Sequence, residues 1–262
     1  LAALFLYAMP NRITPPHIEK FIIRANEVDM LNRLTLPALV NFLQEAANRN
    51  AHNLGFSSQV LQERGLSWVL ARMRIECFRW PQLREEIQVL TFPSGMDKYY
   101  CYRDYRVLDA NGAMLAQATT SWPVIDMEKR QMIAVPDFIR EFPVSEETPL
   151  PRASGKIGSV DKPTYDAATF QVGWHHIDNN RHTNNIYYCQ WLTETLPADF
   201  LATHQLKELD IMFRMESNLG DRISGKAVQE SEGQQPQFRH SLVLSNSGKE
   251  LVQARTVWTL SS

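Results

Sequence analysis

Two stretches of this chain place apolar residues at helical spacing, and a series of alternating runs follows each. In the first stretch Leu36, Leu39, Val40, Leu43 and Ala47 recur at intervals of three and four, the pattern of a helix with one buried face. Thr35 suits its N-cap and Pro37 its first turn. The segment Thr183 to Phe200 predicts the second helix. After the first helix, Trp68 to Phe78, Glu86 to Phe92, Tyr99 to Leu108 and Ala113 to Ile125 read as strands, with Asp109-Ala110-Asn111-Gly112 as a hairpin turn. After the second, the strands are Leu209 to Met215, Arg222 to Gln229, Phe238 to Leu244 and Leu251 to Leu260. Ser245-Asn246-Ser247-Gly248 makes the matching turn.

The order helix-then-strands therefore occurs twice, and particular residues repeat with it. Asp29 and Glu45 return as Asp178 and Glu194, both at an offset of 149. Gly112, Thr120 and Trp122 return as Gly248, Thr256 and Trp258, all at an offset of 136. The shrinking offset requires an insertion in the first half between its helix and its last strands, and Gly55 to Gly65 fits that place. The expected architecture is α+β, a long helix wrapped by a curved antiparallel sheet, built in tandem. The first half is expected over residues 10–141 and the second over 167–262. Between them, 142–166 reads as a linker, with Pro143, Pro149, Pro151 and Pro163 in it. A doubly wound parallel sheet is excluded, because no helices alternate with the strands.

Composition narrows the function classes. With 44% apolar and 21% charged residues over 262 positions, the chain has the make-up of a soluble globular protein. A net charge of −2 argues against nucleic-acid binding, which needs a basic surface. Cys77, Cys101 and Cys189 form no CxxC pair and no metal-ligand spacing, so they read as reduced core thiols of a cytoplasmic protein. Leu1 to Ala8 is apolar but far short of the roughly 20 residues of a membrane span. Met9 follows it, so this octet is expected to precede the natural start and to stand outside the fold. No stable membrane association is expected.

The densest chemistry lies in Asp178-Asn179-Asn180-Arg181-His182-Thr183-Asn184-Asn185. Asp178, Asn180 and His182 alternate, so an extended backbone would turn all three to one face. The helix that follows offers polarised N–H groups to a developing oxyanion. An acid, an amide and an imidazole there suit hydrolysis of an acyl compound. The same residue types also make turns and caps. Comparison of the halves separates the two readings: Leu31 and Arg33 stand where Asn180 and His182 stand, so the scaffold does not require the polar pair. Asp29 persists, which gives Asp178 a partly structural role. Glu216, near a strand end, corresponds to Trp80 and is likewise confined to the second half, but on its own it reads as a surface carboxylate.

Four stretches carry a family resemblance: Asn41-Phe42-Leu43-Gln44-Glu45-Ala46-Ala47, His52-Asn53-Leu54-Gly55-Phe56-Ser57, Trp68 to Glu76, and Asp178 to Asn185 with Trp191 and Glu194. Across Ile23 to Thr259 the chain resembles the acyl-acyl-carrier-protein thioesterases, the group of the plant fatty acyl thioesterases and their bacterial relatives. The resemblance implies a double hotdog fold, release of fatty acids from acyl carrier protein, and a catalytic set carried over to Asp178, Asn180, His182 and Glu216. Members often have cysteine directly after that glutamate. This chain has Ser217, which speaks against a thiol nucleophile.

The mechanism these residues suggest is attack by water. Glu216 serves as base or holds the water, Asn180 and His182 position it and polarise the carbonyl, and Asp178 holds the loop. Trp68, Met73, Asn184 and Asn185 are the candidate substrate contacts. Trp68, Leu70, Met73 and Ile75 are expected to line an apolar slot in the first half or to pack its sheet. No metal or other cofactor is implied. The expected partner is acyl carrier protein, acidic and phosphopantetheinylated, with Arg72, Arg74 and Arg79 as candidate docking cations. Either a monomer or a homodimer fits two fused halves. The alternatives are an acyl-CoA thioesterase, a hotdog hydratase or dehydratase, and a non-catalytic acyl-binding module.

Overall fold

The computed structural model describes residues 14–165 and 168–261. The expectation for Leu1 to Ala8 falls outside them, as do the limits set at 10, 166, 167 and 262. In chain order the first half contains β1 (His17–Ile22), α1 (Leu36–Asn53), α2 (Ser58–Gln62), β2 (Leu66–Trp68), β3 (Arg72–Cys77), β4 (Glu86–Met96), β5 (Tyr100–Asp109), β6 (Met114–Asp126), β7 (Gln131–Ile133) and α3 (Asp137–Arg140). The second contains β8 (Ala168–Gln171), α4 (Asn185–Thr193), α5 (Ala198–Thr203), β9 (His204–Phe213), β10 (Arg222–Ser231), β11 (Gln237–Leu244) and β12 (Glu250–Leu260).

Ten strands run edge to edge in the order β1-β4-β5-β6-β3-β9-β12-β11-β10-β8, with β2 and β7 branching onto β6. Every pairing among the described residues is antiparallel. The two halves meet at β3 and β9, where Met73 opposes Ile211, Arg74 opposes Asp210 and Ile75 opposes Leu209. The 136-residue offset carries Arg74 onto Asp210, its own partner, so a pseudo-twofold axis crosses the sheet at that pair. Gly112 and Gly248, with φ of +84° and +66°, close the corresponding hairpins, a conformation glycine adopts without strain.

Helix α1 forms as its pattern predicts. Thr35 Oγ1 accepts from Ala38 N, and Leu36, Leu39, Val40, Leu43 and Ala47 are buried along one face. That face, α4 and the inner residues Met73, Ile75, Leu209 and Ile211 share one core. α1 and α4 touch across it. The second helix is shorter than predicted. Pro197 disfavours helical geometry at Leu196, so the run breaks after Thr193 and restarts as α5, with Pro197 at its N-cap.

The strand predicted from Trp68 to Phe78 is also divided. β2 pairs Trp68 with Val124, while β3 pairs Arg72 with Ser121, a shift of one residue along β6. The slip explains why the apolar alternation changes parity between Leu70 and Met73. Gly55 to Gly65 does hold an addition that the second half lacks, the short α2. Leu61 of α2 lies with Val124, Val135 and Ile139 in a small satellite cluster, with Trp68, Ile133 and Phe138 packed against it. The edge strands β1 and β8 were not apparent in the sequence. They are short, and partners at the far ends of the sheet define them.

One buried polar chain locks the helix break to the sheet. Thr195 Oγ1 donates to Leu192 O at 2.7 Å and lies 2.9 Å from His240 Nδ1. His240 Nε2 is 2.8 Å from Thr256 Oγ1, which also accepts from Trp258 Nε1 at 2.7 Å. The bonds form a directed chain from Trp258 to Leu192 with a neutral imidazole in the middle. Burial holds the His240 pKa down to about 3, against 6.5 for an ordinary imidazole. Between those values the unfolded chain binds a proton that the folded protein refuses, so stability is full above 6.5 and declines as pH falls. We expect His240 to contribute a loss of about 1.4 kcal/mol per pH unit below that point. Urea midpoints measured from pH 7 to pH 4.5 should therefore fall more steeply in the wild type than in His240→Gln. Equal slopes would contradict this.

Candidate active site

The loop before α4 is a tight turn rather than an extended segment. An isolated bridge pairs Ile177 with Thr183 and closes the residues between them into a loop. Asp178 organises it: its Oδ1 accepts from Asn180 N at 2.8 Å, its carbonyl accepts from Arg181 N at 2.9 Å, and its N–H donates to His182 O at 2.9 Å. Arg181 takes the left-handed conformation, φ +65°. The same loop is built in the first half. Asp29 Oδ1 accepts from Leu31 N at 2.8 Å, Val28 bridges Leu34, and Asn32 takes φ +61°. Asp178 is thus the turn-former that both halves need, and alternation does not hold its neighbours on one face. The turn instead sends Asn180 and His182 to different partners.

His182 Nε2 lies 3.1 Å from Glu216 Oε2, the histidine half-buried and the glutamate exposed. The contact joins the loop to the segment after β9. Asn180 Oδ1 accepts from Gln62 Nε2 of α2 at 3.2 Å. Arg130, in the β6–β7 turn at φ +52°, reaches to 4.0 Å from Glu216 Oε2. Two first-half elements therefore border a site whose central pair belongs to the second half. Gln62 and Arg130 were not picked out from the sequence. The only signal was the Gly55 to Gly65 insertion, with nothing to say where it would reach.

Asn184 caps α4, its Oδ1 accepting from Ile186 N at 3.1 Å, and Asn185 is the first helical residue. The chain's own cap thus takes up a donor that the sequence offered to an oxyanion. Trp68 stands beside the satellite cluster with Nε1 donating to Phe56 O at 3.2 Å. Met73 is 2% exposed and packs in the main core. His176 accepts from Gly173 N at 3.0 Å through Nδ1 and packs on Tyr187 and Trp191. Burial, and to a lesser extent His175, lowers its pKa.

The candidate docking arginines are all paired. Arg72 binds Asp210 at 2.6 Å, Arg74 meets Glu208 at 3.3 Å and Arg79 meets Glu85 at 2.5 Å. Arg74, Glu208 and Asp210 border a shallow groove that contains none of the site residues. None of the cysteines follows Glu216. Burial raises the pKa of Cys77 and lifts Cys101 and Cys189 to about 12, far from the thiolate a nucleophile needs. Ser217, which does follow Glu216, is fully buried.

The first half shows what the same backbone becomes without the polar pair. Arg33 replaces His182 and forms an ion pair with Asp29 at 2.9 Å. It also donates across the halves to Leu201 O at 3.2 Å, His204 O at 3.3 Å and Ser261 Oγ at 2.6 Å. Trp80 replaces Glu216 and is buried, its indole donating to Leu206 O at 2.7 Å. The disarmed copy has become a fastening between halves.

The chain is similar to known proteins over most of its length. The model of the acyl-ACP thioesterase N-terminal domain matches residues 16–142, and that of the C-terminal domain matches 160–260. Oleoyl-acyl carrier protein thioesterase 2 of Arabidopsis thaliana, a chloroplastic protein, is 27% identical over 277 residues, covering 92% of this chain and 76% of the relative. A putative oleoyl thioesterase of Lactobacillus plantarum superposes with a TM-score of 0.87 at 24% identity, over 97% of this chain and all of the other. An acyl-ACP thioesterase of Bacteroides thetaiotaomicron gives a TM-score of 0.83 at 24% identity, over 93% and 97%. These superpositions show the double hotdog fold.

Removing the fastening should cost stability. Arg33→Ala removes the guanidinium donor from Asp29 Oδ2 and from the facing carbonyls, and we expect a loss of about 2–4 kcal/mol in chemical unfolding. A change below about 0.5 kcal/mol, the range of ordinary surface substitutions, would show that the cross-half bonds contribute little.

Proposed function

Because the chain belongs to the acyl-ACP thioesterase family and is a thioester hydrolase, we propose that it releases free fatty acid from acyl carrier protein by water attack at a Glu216–His182 dyad. The observation that carries this reading is the 3.1 Å contact between His182 Nε2 and Glu216 Oε2. It occurs only in the half where arginine and tryptophan have not taken those two places.

An ionised carboxylate only accepts hydrogen bonds. The neutral imidazole therefore donates Nε2–H to Glu216, which leaves the lone pair on Nδ1. A water held at Nδ1 loses a proton to it as its oxygen bonds to the thioester carbonyl carbon. Glu216 stabilises the imidazolium so formed. This moves the basic atom from Glu216, the sequence-based expectation, to the imidazole, because the two groups touch directly.

Gln62 occupies Asn180 Oδ1 as a donor, so what the amide can offer a substrate is its Nδ2–H. It donates to the carbonyl oxygen as negative charge develops there. Collapse of the tetrahedral intermediate breaks the C–S bond. The departing thiolate of the phosphopantetheine arm takes the proton back from Nδ1, giving carboxylic acid and thiol. Asp178 keeps the turn, and Asn184 and Asn185 border it. The acyl chain enters the first half past Trp68 and the satellite cluster around Ile133 and Phe138, while Met73 packs in the main core instead. No helix among the described residues is long and apolar enough to cross a membrane.

Glu216→Gln and His182→Ala should each lower turnover by about 10²- to 10⁴-fold with little change in melting temperature. Thiol released from long-chain acyl carrier protein is the readout. Folded variants with wild-type turnover would remove the dyad from the mechanism, and the same assay with acyl-CoA separates the two carriers. Alkylating the native protein with iodoacetamide should leave turnover unchanged, since no thiol acts in the reaction.

A further inference from the structure

Directly behind the dyad lies a closed ring of hydroxyl groups. We propose that Thr183, Tyr188 and Ser217 form a positioning circuit that sets the distance between His182 and Glu216. This rests on the reading of those two residues given above.

The direction of every bond in the circuit follows from the bonds themselves. Ser217 N donates to the Tyr188 hydroxyl at 2.9 Å. Thr183 Oγ1 donates to Ser217 O at 3.0 Å. A hydroxyl has one proton, so the 2.8 Å contact between Thr183 Oγ1 and Ser217 Oγ must carry the serine proton toward threonine. The serine oxygen then accepts from Tyr188 across its own 2.8 Å contact. The path runs from Ser217 N–H through tyrosine, serine and threonine hydroxyls and back to Ser217 C=O. Thr183 N closes on the same carbonyl at 3.1 Å. Each hydroxyl gives its proton and receives one, and all three residues are buried.

Thr183 follows His182 and Ser217 follows Glu216, so the circuit ties together the two backbone points from which the dyad hangs. The fold itself does not need it. In the first half Leu34 N donates to Pro81 O at 2.8 Å, the counterpart of the Thr183–Ser217 backbone bond. There the three positions hold Leu34, Leu39 and Pro81. Leu34 and Leu39 are each 2% exposed, and proline has no N–H for a tyrosine to satisfy. The same backbone therefore closes with an apolar trio, and hydroxyls occur only behind the pair that does chemistry. Leucine packing adds no directed bond to that single backbone contact, whereas a ring of directed bonds fixes the separation of the two chain segments.

The test uses Thr183→Val, nearly the same shape without the hydroxyl, and Thr183→Ser, which restores it. We expect Thr183→Val to fold with a melting temperature a few degrees below wild type, since the buried Ser217 hydroxyl loses its acceptor, a KM within about twofold, and kcat lower by about 10- to 100-fold, the scale of a small misplacement of reacting groups. Thr183→Ser should recover most of that loss. In a Glu216→Gln background Thr183→Val should lower kcat no further, because it acts through the glutamate. A folded Thr183→Val with wild-type kcat, or one that adds its full loss to that of Glu216→Gln, overturns the proposal. Should Thr183→Val not fold, the combined Thr183→Val, Tyr188→Phe, Ser217→Pro variant decides, since it copies the apolar trio of the first half. Folding with reduced kcat supports the circuit, while wild-type kcat or failure of both variants to fold overturns it. The parent variants keep the two ideas distinguishable. If Glu216→Gln and His182→Ala are fully active the dyad itself is wrong, whereas if they are inactive and Thr183→Val is not, only the circuit is.

Discussion

The β3–β9 ladder is the constraint on which everything else in this molecule depends. It joins two half-sheets into one continuous surface, with Arg74 opposite Asp210 on the pseudo-twofold axis and the Arg72–Asp210 ion pair beside it. Apolar residues of the same strands, Met73, Ile75, Leu209 and Ile211, form the floor under α1 and α4. With the ladder in place, each helix N-terminus lies near the other half. That proximity lets α2 and the β6–β7 turn of the first half reach the loop before α4. It also lets Arg33 reach carbonyls of the second half.

Duplication then makes the molecule its own control. Both loops use an aspartate, a left-handed residue and a backbone bridge, so those features belong to the scaffold. The differences lie in the side chains on that common backbone. Arginine and tryptophan in the first copy look inward and across the interface. Histidine and glutamate in the second face each other at a half-open surface. Buried hydroxyls replace leucine and proline behind the second pair. Polar burial carries a desolvation cost that apolar packing does not, so its confinement to one copy points to chemistry rather than to folding.

Much of the architecture was legible in the chain. The period of α1, its threonine cap, the repeated turn glycines and the two constant offsets together imply a tandem helix-plus-sheet fold. The departures have local causes. Pro197 divides the second helix, and a one-residue slip along β6 divides the strand after α2. The edge strands His17–Ile22 and Ala168–Gln171 escaped notice because four to six residues carry too little periodicity to stand out. Comparison of the halves favoured Asn180 and His182 among the site residues, but left Glu216 a surface carboxylate that only the family resemblance singled out. It could not reveal Gln62 and Arg130, which are polar surface residues until the fold carries them across to the other half.

The amino-acid sequence by itself determined which residue types occur, at what period, and which of them differ between two otherwise equivalent copies. That is enough to specify secondary structure, the duplicated layout and the residues released from structural duty. Only the tertiary structure decided that the imidazole meets the carboxylate directly, that Ser217 turns inward to Tyr188 and Thr183, and that a first-half glutamine orients a second-half amide. Spacing along a chain governs neighbours within one element. Contacts between residues such as 62 and 180, or 182 and 216, depend on strand pairing and turn geometry that no local pattern encodes.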